Sequence, residues 1–175
     1  MSLNNVKPGK DVPNVFNVII EIAAQSDPIK YEIDKESGAV FVDRFVGTGM
    51  RYPVNYGYIP DTIAGDGDPV DVLVISPFPL PPGVVVRCRP LGLLKMTDDG
   101  GQDAKVLAVP VDKLTPLYKN WQEYTDAPEL LLNQIRFFFE NYKALEPGKW
   151  VKMDGWGGKA EAIGEIETGL KNYKG

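Results

Sequence analysis

The apolar pattern along this chain predicts strands, some alternating and some apolar on both faces, up to about residue 111, and helices only later. The run "FNVIIEIAA" (16–24) is β-branched and apolar, which predicts a strand, with Glu21 as a charge inside it. In "PIKYEIDKESGAVFVDRF" (28–45) two alternating runs flank a turn at Lys35–Gly38, the mark of a β-hairpin. Side chains alternate along a strand, so Lys30, Glu32 and Asp34 fall on one face of that hairpin. "VDVLVI" (70–75) is apolar on both faces and reads as a central strand. Residues 84–96 and 104–111 are two further strands, joined by a tight acidic turn, "TDDGGQD" (97–103).

In "PELLLNQIRFFFENYKALE" (128–146), Leu131, Ile135, Phe138, Phe139 and Tyr142 recur at helical spacing. Thr125 or Asp126 is placed to cap this helix, and Pro147-Gly148 to end it. A second helix is expected over 159–172, weakened by Gly164 and Gly169. Residues 46–69 form a long Gly/Pro/Tyr-rich connection, and long structureless loops in compact domains tend to be functional. Residues 1–14 read as an irregular arm and 77–83 as a Pro-rich excursion. Five to seven strands followed by two helices predict an α+β fold, mainly β. Short strands with bulge-prone Gly and Pro favour a small closed barrel with the helices packed outside.

Composition narrows the chemistry. The 175 residues are 43% hydrophobic and 25% charged, which fits one domain, 1–175, with a proper core. The net charge of −5 supplies no basic field for nucleic acid or an anionic membrane. No apolar run approaches the roughly 18 residues a membrane span needs, and the polar start predicts a cytoplasmic protein. Histidine is absent, which excludes Ser-His-Asp and Cys-His catalysis and any His-ligated metal. Cys88, the sole cysteine, allows no intramolecular disulfide and no Cys-rich zinc site. Its neighbours Arg87 and Arg89 favour a lowered thiol pKa, but a lone Cys more often fills space in a strand. There is neither a Gly-x4-Gly-Lys-[Ser/Thr] loop nor a GxGxxG motif, so neither nucleotide fold is supported.

The densest signal is "GDGDPVDVLV" (65–74). Pro69 biases Asp68 toward an extended backbone, which would point Asp66 and Asp68 the same way. Asp71 shares a strand face with Leu73 and Ile75, where a carboxylate is costly unless a cation or hydrogen bonds compensate it. Several converging carboxylates suit a hard divalent cation such as Mg²⁺. An EF-hand fails on spacing, and an Asp-rich turn explains "DGDP" but not Asp71. Asp98, Asp99 and Asp103 lie in the acidic turn, where solvated charge is the plain alternative, and Glu21 on an edge strand would be equally plain. Cationic counterparts exist in Lys30, Arg44, Lys105 and Lys143, with Tyr142 beside the last. Tyr52 and Tyr56 flank "PVN" in the long connection, and loop tyrosines with free hydroxyls often bind ligands. Metal-gathering acids ringed by Lys, Arg and Tyr suit a small phosphorylated polyanion.

These residues carry a resemblance. "DGDPVDVLV" is similar to the aspartate signature of the soluble family I inorganic pyrophosphatases. "DPIKYEIDKESGAVFVDRF", "YPVNYGYIP", "RCRPLGLLKMTDDGGQDAK" and "FFFENYKALEPGKWVK" resemble the bacterial short form in the same order. The resemblance implies a five-stranded OB-like barrel with flanking C-terminal helices. It also implies Mg²⁺-dependent hydrolysis of pyrophosphate to two orthophosphates, several metals per site, and Mn²⁺ or Zn²⁺ as possible substitutes. By position, Asp66, Asp71, Asp103 and Asp98 match metal sites, with Glu21 and Glu32 completing the acidic rim. Asp68 matches the general base for a metal-activated water. Lys30, Arg44, Lys105, Tyr142 and Lys143 match phosphate-binding positions, and Tyr52 and Tyr56 the tyrosines near the leaving group and metals. A homohexamer, a dimer of trimers, is implied, although Arg136 and Glu140 stand where some relatives carry contact histidines. Two other classes remain as rivals: an OB-like module for single-stranded nucleic acid, and a phosphohydrolase acting on nucleoside triphosphates.

Overall fold

A computed structural model of the chain describes residues 2–175. Five strands close on themselves: β1 (Phe16–Ile22), β4 (Asn55–Tyr58), β5 (Asp71–Val74), β8 (Lys105–Pro110) and β6 (Val85–Asp98). Each pairs with the next in that order, and β6 returns to β1, so the ring has no free edge. The pairing is antiparallel except between β5 and β8. This is the five-stranded OB-like barrel, mainly β, that the sequence predicts.

β6 is the longest strand, and beyond the ring it also pairs with β7 (Gly101–Gln102) and β9 (Val151–Gly158). The hairpin of β2 (Ile29–Ile33) and β3 (Val40–Phe45) forms a separate two-stranded sheet. Helix α1 (Glu129–Asn141) and helix α2 (Lys159–Asn172) follow. Among the described residues no helix is long and apolar enough to cross a membrane.

Alternation along the strands builds two cores. Leu73 and Ile75 on β5 and just beyond it, with Leu107 and Val109 on β8, join Ile135, Phe138 and Phe139 of α1. Val72, Val74, Val106 and Ala108 point the other way and join Ala162 and Ile166 of α2. Burial on both faces is why these strands read as continuous apolar runs. Cys88 is fully buried in the second core, and burial pushes its thiol pKa up, so the filler reading holds over the reactive one.

Several expectations are corrected. The 46–69 connection contains strand β4, because "NYGY" is too short and too Gly-interrupted to stand out as a strand. Strand β9 was also missed, since three glycines in "VKMDGWGG" mask it, and it separates the two helices. The first helix ends at Asn141, not near residue 146, and Pro128 precedes it without a side-chain cap. Asp126 instead accepts the N–H groups of Gln122 (2.8 Å) and Glu123 (3.0 Å) in a short 3₁₀ turn. Glu123 in turn accepts the Lys159 N–H at 2.8 Å, capping α2 from 36 positions away. Gly169 lets α2 lie against Val70, whose methyl would stand 2.5 Å from a Cβ there.

Gly57 on β4 faces β1 so closely that a Cβ would collide with the Ile19 carbonyl, which is backbone and cannot swing aside. Gly57→Ala is therefore expected to destabilise the fold by about 1–3 kcal/mol, the usual range for overpacking, read as a lower urea midpoint.

Candidate active site

The acidic stretch does not run extended. Gly67 has φ +89°, a left-handed conformation that suits glycine, and the Asp68 N–H donates to Asp66 Oδ1 at 3.0 Å. The turn at Gly67, with Asp66 capping the Asp68 N–H, is what reverses the chain ahead of Pro69. Asp66 and Asp68 nevertheless face the same space. Asp71 opens β5, on the same face as Leu73 and Ile75 as the alternation requires.

The parallel register of β5 and β8 sets Asp71 directly opposite Lys105. Lys105 Nζ lies 2.9 Å from Asp71 Oδ2 and 3.1 Å from Asp103 Oδ1. The side chain is 3% exposed, with Nζ above the rings of Tyr56 (5.1 Å) and Phe139 (5.3 Å). Burial alone would lower its pKa, but Asp71 and Asp103 more than offset that and hold the ammonium charged.

A bulge in β1 leaves Glu21 without a partner between the Ile20–Gly57 and Ile22–Tyr56 pairs. Because of it Ile20 and Ile22, two residues apart, enter different cores and Glu21 turns toward the hairpin. Strand β1 is paired on both sides, so the edge-strand reading of Glu21 fails. Glu21 Oε1 accepts the Ile33 N–H at 2.9 Å. Burial raises its pKa to about 8, with Asp71 and Glu32 adding to the rise.

A second bulge, in β3, places Asp43 between the Lys30–Arg44 and Tyr31–Val42 pairs. Asp43 Oδ2 lies 3.1 Å from both Lys30 Nζ and Arg44 Nε, and Arg44 also reaches Glu146 at 2.6 Å. Burial would raise the Asp43 pKa, but these two cations hold it below its ordinary value. Lys143, just past α1, pairs with Asp98 at 3.2 Å.

Tyr56 lies on β4, not in a loop, and both Tyr52 and Tyr56 are buried. Burial raises both hydroxyl pKa values. Tyr52 packs on Phe138 and Tyr56, and Tyr142 stacks on Phe138 (centroids 5.1 Å apart), so one aromatic wall carries three tyrosines.

One cavity of about 580 Å³ collects these groups. Its lining includes Glu21, Glu32, Asp66, Asp68, Asp71, Asp98 and Asp103, the cations Lys30, Arg44, Lys105 and Lys143, and Tyr52, Tyr56 and Tyr142. All fourteen residues that the resemblance matched to site positions thus share one space, as do Asp34, Lys35 and Glu36 of the hairpin turn, whereas Asp99 lies outside it, paired with Lys149 at 2.8 Å. Strand spacing already put Asp34 on the hairpin's cationic face, whereas nothing local marks Lys35.

The donor set fits a hard divalent cation. The acids that line the cavity offer carboxylate oxygens, and burial raises the pKa of Asp66 and of Asp103, with Asp71 adding to both. Asp66, Asp71 and Asp103 are the side chains that would hold such an ion. As the side chains stand, no three acids among the described residues close around a single point, and Lys105 occupies the place between two of them.

The family model for inorganic pyrophosphatase matches residues 18–174. The chain belongs to the inorganic pyrophosphatase family. It is accordingly a pyrophosphate hydrolase, of a family that implies a divalent metal cofactor. It is 68% identical over 174 residues to an inorganic pyrophosphatase of Ralstonia nicotianae, covering 99% of both chains. Among solved structures, an inorganic pyrophosphatase from Coxiella burnetii superposes with a TM-score of 0.93 at 52% identity, over 97% of this chain and 100% of that one. The Thermus thermophilus inorganic pyrophosphatase gives 0.93 at 42% identity over the whole of both chains.

Within this cavity, Lys105 and its two acids form one electrostatic unit. Lys105→Met is expected to leave Asp71 and Asp103 buried without their cation and to cost about 3–5 kcal/mol of stability, measured by urea unfolding without added metal.

Proposed function

We propose that this chain hydrolyses pyrophosphate to two orthophosphates with Mg²⁺, using Asp68 as general base. The observation that carries the reading is the shared cavity, with acids on one side and cations with tyrosines on the other. A nucleic-acid groove would need basic and stacking surfaces without this acid density.

Divalent ions, when bound, neutralise substrate charge and lower the pKa of a coordinated water. The chain's own groups do the rest. Asp66, Asp71, Asp103 and Asp98 supply the carboxylate ligands, with Glu21 and Glu32 at the rim. Among the described residues the Asp68 carboxylate pairs only with Lys35, at 3.5 Å, and it accepts the proton of the attacking water. Lys30, Arg44 and Tyr56 hold the departing phosphate. Lys105, Tyr142 and Lys143 grip the phosphate under attack, and Tyr52 supports Tyr56 and Tyr142 by packing. No covalent intermediate is needed, because positioning and electrostatics lower the barrier to phosphoryl transfer.

The same reading takes the protein as a cytoplasmic homohexamer. Exposed Leu130 and Phe137 on α1 line an open groove that supports contact between copies, and sedimentation velocity tests it.

Phosphate release from pyrophosphate should far exceed that from ATP, both with Mg²⁺, and chelation should abolish it until Mg²⁺ is restored. Preference for ATP, or release unaffected by chelator, overturns the proposal. Asp68→Asn should fold normally and lower kcat by about 10²–10⁴, the range for a lost general base. Unchanged turnover would remove Asp68 from that role. Lys30→Ala should mainly raise KM, as loss of a phosphate contact requires.

A further inference from the structure

Five cationic side chains line the cavity, and four are firmly engaged. Lys105 is shared by two acids, Lys143 pairs with Asp98, and Lys30 and Arg44 share Asp43. Lys35 differs. Among the described residues its only ion-pair partner is Asp68 at 3.5 Å, and both side chains are 67% exposed. An ion pair this long and this wet contributes little, so the ammonium is cheap to move.

Its backbone, by contrast, is pinned. Asn4 donates its side-chain amide to the Lys35 carbonyl at 2.8 Å and to the Glu36 carbonyl at 3.2 Å. Within the turn, Asp34 accepts the Ser37 N–H and hydroxyl at 2.8 and 2.6 Å. The hairpin pairs with no barrel strand among the described residues, and it is held by Glu21 on Ile33, by Tyr31 against the first core, by Arg44 on Glu146 and by Asn4 at its tip. The N-terminal segment therefore fixes where the tip stands at the cavity mouth and leaves the Lys35 side chain free to turn.

We infer that Lys35 is a further substrate-binding residue, which captures the incoming pyrophosphate at the cavity mouth. This rests on the pyrophosphatase reading of the cavity. A polyanion carries more charge than the single carboxylate of Asp68, so Lys35 exchanges one for the other as substrate enters. The exchange also frees Asp68 of its one cationic tether. Asn4 acts as a positioning residue, through the turn backbone.

Steady-state kinetics with Mg-pyrophosphate on the full chain tests the inference. Lys35→Gln should raise KM by about 3- to 10-fold, the range for one charged contact at a wet site, while kcat changes by about two-fold at most. It should also flatten the dependence of kcat/KM on ionic strength, which a purely structural role would not alter. Lys35→Arg should restore most of KM. Asn4→Ala should shift KM in the same direction by a smaller factor. A Lys35→Gln protein with unchanged KM and an unchanged salt dependence overturns the inference. If that happens while Asp68→Asn still abolishes turnover, the capture role alone fails. If Asp68→Asn and Lys30→Ala are also silent, the cavity reading fails with it.

Discussion

The Lys105 ammonium stands between two carboxylates in a place nearly closed to water. Taking such a charge out of water costs several kcal/mol, and so does burying each acid. Opposite charges near 3 Å attract by roughly 5 kcal/mol at an effective dielectric of 20, so neither acid alone secures the lysine. The three groups are tolerable only together. Their geometry comes from backbone register, because Lys105 is the direct β5–β8 partner of Asp71 and lies two residues beyond Asp103. The barrel must close correctly for this cluster to exist.

The rest of the cavity follows from deviations around that fixed centre. Regular alternation would have turned Glu21 away from the residues beside it and left Asp43 opposite a partner. One bulge in β1 turns Glu21 toward the hairpin, and one in β3 lets a single aspartate serve both Lys30 and Arg44. Bulges of this kind re-aim side chains next to functional sites. The left-handed Gly67 does the same for the loop, folding Asp66 back on the Asp68 N–H while both still face the cavity. The acids so gathered outnumber the cations that line the same cavity, which is the electrostatic ground for the proposed divalent ion.

Anchoring differs around the rim, and that difference has a functional logic. Lys105 and Tyr56 belong to barrel strands, and Tyr142 leans on the aromatic wall built by α1, so they offer a stiff floor. Lys30, Arg44 and Lys35 ride on a hairpin that is tied to the barrel at a few points. On the proposed function, a rigid floor would suit the phosphate under attack, and a hairpin held at a few points would suit the group that arrives and leaves.

Much of this was legible in the sequence alone. Period-two and helical patterns marked the barrel strands β1, β5, β6 and β8, the hairpin and both helices, because burial on one or two faces imposes those periods locally. The same rule placed Asp71 on a buried face and flagged it as needing a cation. Strands β4 and β9 escaped, since glycines interrupt the hydrophobic pattern in both, and in β4 Gly57 is required by the close approach of the β1 backbone. Tertiary structure alone decided what compensates Asp71, that Glu123 caps a helix 36 positions away, and that Asn4 holds the hairpin tip. Each of those is a contact between residues distant in the chain, and local periodicity carries no information about register across strands or about which loop meets which.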